Sequence, residues 1–138
     1  MIGLLYMHIH ALEEEAAFTA GMHMVSSERR EKVSSIKNPV SAKLSLAAGI
    51  LLQLAMKRMG AEGEEIRFGK HGKPIVNSTN VHFNLSHSGS YAVCVYGDIP
   101  LGVDIQKIKE QIPKQRARIL SPEEEAYLSC SKEAEKRF

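Results

Sequence analysis

The sequence predicts an α+β fold, and three observations carry that expectation. An apolar run opens the chain at residues 2–9, three strand-like runs lie together at 82–106, and three helical segments fall between them. The last of these helices, Pro39 to Met59, is apolar almost all round between Leu44 and Met56, so it reads as the central helix on which a sheet packs. Strands and helices segregated in this way, instead of alternating, give a sheet with a helical layer on one face.

Each element has a local cause. Residues 2–9 are rich in Ile, Leu, Tyr and Met and read as a buried strand. LEEEAAFTAGMHM then places acidic residues in a first turn, where the helix macrodipole favours them, and SSERREKVSSI is a second, shorter helix. The long helix has Pro39 near its start, Lys57 and Arg58 in its last turn and Gly60 just beyond as a stop. EIRFG begins a strand, and GKHGKP is a loop with two glycines and a closing proline. FNLSHSG and YAVCVYG follow as strands, the second apolar on both faces and so expected to be covered on both sides. After the GDIP turn comes LGVDIQ, where a two-residue period sends Leu101, Val103 and Ile105 to one face and Gly102, Asp104 and Gln106 to the other. IKEQIPKQRARIL is basic and weakly periodic. SPEEEAYL opens a last helix with Ser121 as N-cap, Pro122 at the first position and Glu124 as the capping-box partner.

At 138 residues, 43 % hydrophobic and 25 % charged, the chain is long enough for one domain with a real core and has ordinary globular composition. Its 18 basic and 16 acidic residues are spread along the chain, so nucleic acid and anionic membrane are not expected partners, and any anion binding must be local. Cys94 and Cys130 show neither CxxC nor metal-ligand spacing, which fits a reducing cytoplasm. MIGLLYMHIH lacks a basic leader and a cleavage site and reads as a strand, not a signal peptide. LSLAAGILLQLAM, the longest apolar run, is broken by Ser45 and Gln53 and is too short to span a bilayer.

Candidate chemistry is concentrated in a few places. Asp104 and Gln106 project together beside Gly102, two hard oxygens suited to Mg2+, although an edge strand carrying polar residues outward would look the same. Arg29 and Lys32 are three apart on one helical face and could hold a phosphate, where a solvated charged face is the plain alternative. Lys70 and Lys73 sit in a glycine-flexed loop that lacks the Walker spacing. Adjacent Ser86 and His87 point to opposite faces of an extended segment, which makes them a poor nucleophile and base pair. His8 and His10 share a face without a third metal ligand nearby and read as surface histidines.

The order SERREK, SLAAGILL, GKP, FNLSHSG, GVDI and a helix opening Ser-x-x-Glu resembles the Sfp-type 4'-phosphopantetheinyl transferases. The resemblance covers nearly the whole chain. It implies transfer of the phosphopantetheine arm of coenzyme A to a serine of an acyl or peptidyl carrier protein, with Mg2+ as cofactor. It implies that Arg29, Lys32 and Lys73 contact coenzyme A phosphates, that Ser86 and His87 hold the nucleotide end, and that Asp104, with Gln106 beside it, holds the metal. Glu124 matches the glutamate of the family's Ser-x-x-Glu element and is the expected catalytic residue. The implied fold is two similar α+β halves, of which residues 1–98 make the N-terminal half and residues 99–138 the beginning of the second.

Three departures from the family pattern matter. Gln106 stands where many members have a second acidic ligand, which removes one negative charge from the metal site. Leu44 stands where many carry an arginine, and Lys43 points about 100° around the helix from it. The family's later Trp-x-x-Lys-Glu motif has no counterpart, since the chain has no Trp. Weak or absent catalysis is therefore expected, with a non-catalytic coenzyme A or carrier-binding protein as the alternative and dimerisation through surface left by the missing half as a further expectation.

Overall fold

The computed structural model describes residues 1–70, 73–77 and 80–108. In order these form β1 (Ile2–His8), a 3-10 turn (Ile9–Leu12), α1 (Glu15–Met24), α2 (Ser27–Ser35), α3 (Pro39–Arg58), β2 (Arg67–Phe68), β3 (Pro74–Ile75), β4 (His82–Ser88) and β5 (Tyr91–Gly97). Strands β1, β5 and β4 make an antiparallel sheet with β5 in the middle, and β2 pairs with β3 in a separate small hairpin. The α+β expectation holds, and Met1–Gln106 forms one compact unit. The basic stretch from Lys109, the helix opening at Ser121, Glu124 and Cys130 lie outside the described residues.

The starts of α2 and α3 follow the side chains available to satisfy free backbone N–H groups. Ser26 Oγ accepts from Arg29 N at 3.2 Å at the head of α2, and Asn38 Oδ1 accepts from Ser41 N at 3.1 Å at the head of α3, with Pro39 next. Past α3, Gly60 adopts φ +71°, the left-handed conformation that ends a helix at little cost only in glycine. Helix α3 is long and apolar enough to cross a membrane, but 67 % of its apolar window is buried inside the protein. It is packed by α1, α2, β1, β4 and β5, and Leu46, Leu51, Ala55 and Met56 are each at most 2 % exposed. Each such leucine or methionine contributes on the order of 1.5–3 kcal/mol by burial.

Register decides the two faces of the sheet. Leu5 lies opposite Cys94, which lies opposite Leu85, and this face meets α3. One residue along, Leu4 lies opposite Val95, which lies opposite Asn84, on the far face. Strand β5 is therefore covered on both sides, as its uniformly apolar sequence predicts, with Ala92 to Gly97 all buried. β1 corrects the buried-strand expectation: Leu5 and Met7 pack on the core, whereas Ile2, Leu4 and Tyr6 are 59 %, 58 % and 70 % exposed. Its residues are apolar on both faces, so composition could not show that β1 lies at an edge with one side open.

Two further expectations are adjusted. EIRFG contributes only Arg67 and Phe68 to a ladder, because the loop returns at once and Phe68 pairs with Pro74. LGVDIQ is extended and alternates as expected, with Leu101, Val103 and Ile105 partly buried and Gly102, Asp104 and Gln106 exposed, but it joins no strand ladder among the described residues. Side chains of β4 tie it down instead.

Cys94 is a buried free thiol, fully enclosed between sheet and helix, and burial pushes its pKa from 9.0 up to about 12. Since the folded value is raised, the associated stability is fully present below about pH 9 and is lost as pH climbs toward 12. Iodoacetamide at pH 8 is expected to leave Cys94 unmodified in the native chain and to alkylate it in urea. Rapid native labelling, read by peptide mass, would contradict the enclosed position.

Candidate functional site

The predicted site residues fall into two groups on different layers of the molecule. The first is a groove of about 370 Å3 whose described lining is Glu28, Arg29, Lys32 and Phe68. Helix α2 brings Arg29 and Lys32 together, because residues three apart share a helical face. Arg29 is only 8 % exposed, and burial lowers its pKa from the ordinary guanidinium value. Its Nη1 donates to the Ser45 carbonyl at 3.5 Å and to the Ser45 hydroxyl at 3.4 Å, both long contacts. A positive, largely desolvated fork beside a lysine suits an anionic oxygen better than a neutral ligand.

The second group is built on the face of the sheet opposite α3. Asn84 and Ser86 are two apart on β4 and so project to the same side. Asn84 Oδ1 accepts from Val103 N at 2.9 Å, and Ser86 Oγ accepts from Ile105 N at 3.2 Å. Two side chains thus replace the missing backbone ladder and set the register of the LGVDIQ segment. The same Ser86 hydroxyl donates to Asp104 Oδ1 at 3.2 Å, while Gln106 Nε2 donates to Asp104 Oδ2 at 3.3 Å. Asp104 is exposed, so its charge carries little desolvation cost and its oxygens stay within reach of a solvent-borne cation.

Asn84→Ala is expected to release the first of these ties. Amide exchange of Val103 should then quicken about fivefold, the share of roughly 1 kcal/mol carried by one hydrogen bond. Unchanged exchange there would mean that the segment is held by packing alone.

The structure brings Ser86, Asp104 and Gln106 together, and Arg29 with Lys32. It does not bring Ser86 and His87 to one side: His87 is exposed on the α3 face of β4, as the strand period requires. Lys73 is exposed in the hairpin loop, where its carbonyl accepts from Gly69 N at 2.8 Å, and it is not among the described lining of the groove. Leu44 is 7 % exposed within the core, which explains why a charged residue is not needed for folding at that point. Lys43 beside it is partly buried. Sequence reasoning missed Asn84 and Phe68. The first was detectable as the residue two before Ser86 on a strand. For Phe68 the nearest signal was its place just before the GKHGKP loop.

No group of three or more His, Cys, Asp and Glu side chains that could hold a metal ion occurs among the described residues. The donors at Asp104 are one carboxylate, one hydroxyl and one amide. That set fits Mg2+, a hard cation that often takes one or two protein carboxylates and completes its shell with water and substrate phosphate.

Residues 13–97 match the family described as 4'-phosphopantetheinyl transferase, N-terminal. A 4'-phosphopantetheinyl transferase of Bacillus subtilis is 33 % identical over 127 residues, covering 86 % of this chain and 57 % of the relative. The 4'-phosphopantetheinyl transferase Sfp of Bacillus subtilis strain 168 is 33 % identical over 92 residues, 64 % of this chain and 41 % of the relative. An L-aminoadipate-semialdehyde dehydrogenase-phosphopantetheinyl transferase of Mus musculus is 26 % identical over 106 residues, 70 % of this chain and 34 % of the relative. The chain spans about half the length of the bacterial relatives it matches.

Proposed function

Because the chain belongs to the 4'-phosphopantetheinyl transferase family, we propose that it acts in Sfp-type transfer, moving the phosphopantetheine arm of coenzyme A to a serine of an acyl or peptidyl carrier protein. In that reaction the serine oxygen forms a bond to the pantetheine-side phosphorus of the pyrophosphate. The phosphorus–oxygen bond to the nucleotide breaks, 3',5'-adenosine diphosphate departs, and the serine proton passes to a base. The observation that best supports the reading is the exposed Asp104 carboxylate, held in place by Ser86 on an adjoining strand of a matched family segment.

Coenzyme A is long and carries phosphates at its ribose and in its pyrophosphate, so two separated polar groups on one protein can serve one molecule of it. Arg29 and Lys32 are assigned to its phosphates, with Lys73 able to swing in from an exposed loop. Ser86 and His87 are assigned to the nucleotide end. Asp104, with Gln106 and Ser86 as neutral oxygens, would hold Mg2+, which when bound supplies charge neutralisation on the pyrophosphate. Ser86 orients Asp104 through its hydroxyl, and Arg29 offers a charge already stripped of most water. Glu124 is the proposed base, and residues 1–98 and 99–138 the proposed division between family halves. A reducing cytoplasm is the proposed setting.

A second reading, binding of coenzyme A or carrier without turnover, is favoured by Gln106. Its amide N–H group faces Asp104, where a carboxylate would have added a second charge for the metal. The intact mass of an apo carrier protein after incubation with the chain, coenzyme A and Mg2+ separates the two. Gain of one phosphopantetheine arm establishes transfer. No gain, with coenzyme A bound and a full-length relative active on the same carrier, establishes the binding reading.

A further inference from the structure

The groove beside α2 holds an arginine whose surroundings are completed by α3 and β2. Among the described residues the Arg29 guanidinium donates only to Ser45 and enters no ion pair, although Glu28 lines the same groove. A guanidinium carries five N–H donors, so most of its capacity remains for a ligand. Its stem is wedged against α3. A Cβ added at Gly49 would lie 2.8 Å from Arg29 Cγ and 2.9 Å from Val25 Cγ1, so only glycine lets α2 come this close without a shift. The guanidinium carbon lies 5.9 Å from the centroid of the Phe68 ring, within the range of cation–aromatic attraction.

Phe68 is an odd residue to find there on stability grounds. It is 44 % exposed on a strand of only two residues, so its ring is far from fully buried, yet it lines the groove with Arg29 and Lys32. Together with Ile66 it also borders a small void lined by Arg29 of α2 and Gly49 of α3, which makes Phe68 a neighbour of the arginine a second time.

We propose that Phe68 is a positioning residue for the anion site: its ring holds the Arg29 guanidinium, whose stem is wedged at Gly49, and fixes the direction in which that cation meets a phosphate. The proposal rests on the reading of this groove as a coenzyme A phosphate site. Phe68 does not touch the phosphate in this arrangement; it acts through Arg29. The short β2–β3 hairpin thereby becomes part of the binding machinery, contributing Phe68 to the described lining of the groove and carrying Lys73 in its loop.

The test is calorimetric titration of the full chain and its variants with coenzyme A and, separately, with inorganic pyrophosphate, with thermal melting as the folding control. Phe68→Leu keeps an apolar side chain and removes the aromatic face; it is expected to weaken anion binding about threefold to tenfold. Phe68→Tyr, which keeps the ring, should stay within about twofold of the native chain. In an Arg29→Gln background, Phe68→Leu should cost nothing further, because the group it positions is gone. Binding by Phe68→Leu equal to the native chain, or equal losses with and without Arg29, overturns the proposal. If pyrophosphate shows the expected pattern and coenzyme A does not bind, the functional reading fails and the positioning role stands. Binding of neither anion overturns both.

Discussion

Asp104→Asn is expected to abolish the Mg2+-dependent increment in coenzyme A binding and to reduce any transfer on the order of 100-fold, while the chain stays folded. The substitution is nearly isosteric and exposed, so packing is untouched. Its effect is on charge. Asp104 is the carboxylate of its group, Ser86 and Gln106 being neutral, so the variant leaves Mg2+ no anionic ligand from this group of described residues. Binding measured in EDTA should change less than about twofold, since Arg29 and Lys32 stand on the helical side of the molecule. Gln106→Glu is the reciprocal change. It adds one carboxylate and removes the amide N–H group now turned toward Asp104, and should tighten Mg2+ about tenfold. Titration with Mg2+ in the presence of coenzyme A reads both, and an undiminished increment in Asp104→Asn would remove this residue from the metal site.

Phe83→Ala should cost about 3–5 kcal/mol of folding stability, the range for truncating a buried aromatic residue. Phe83 is 1 % exposed, on the face that β4 turns toward α3, and no smaller side chain could fill its place without collapse of the helix onto the sheet. For a domain of this size the loss should lower the melting temperature by at least about 12 °C. It should also reach the site, because Phe83 precedes Asn84, whose side chain holds Val103 on the other face of the same strand. Tyr6→Ala is the control: at 70 % exposure it should change stability by no more than about 0.5 kcal/mol. Urea unfolding of the two variants decides the matter, and comparable losses would show that the open face of β1 is covered in solution.

Much of this molecule follows from short-range features of its sequence. The ends of α2 and α3 are set by caps: Ser26, Asn38 with Pro39, and Gly60 each act within a turn of their own position. The alternation of LGVDIQ put Asp104 and Gln106 on one side, and the strand period separated Ser86 from His87, because both depend only on the backbone's two-residue repeat. The pairing of Arg29 with Lys32 needed nothing beyond helical spacing. Those relations are local, and local geometry is what a sequence encodes directly.

The tertiary structure decided the rest, and the reason in each case is a contact between residues far apart in the chain. Whether IGLLYMH is buried depends on its lying at the edge of the sheet, beside β5 alone among the described strands. That Asp104 meets Ser86, that Asn84 substitutes for a ladder, and that Phe68 faces Arg29 across the α2 groove are separations of 18, 19 and 39 positions. No periodicity spans such distances. They are set when α3 closes against the sheet and the β2–β3 hairpin settles over α2, steps driven by non-directional burial of apolar surface, which any single segment shares with many alternatives.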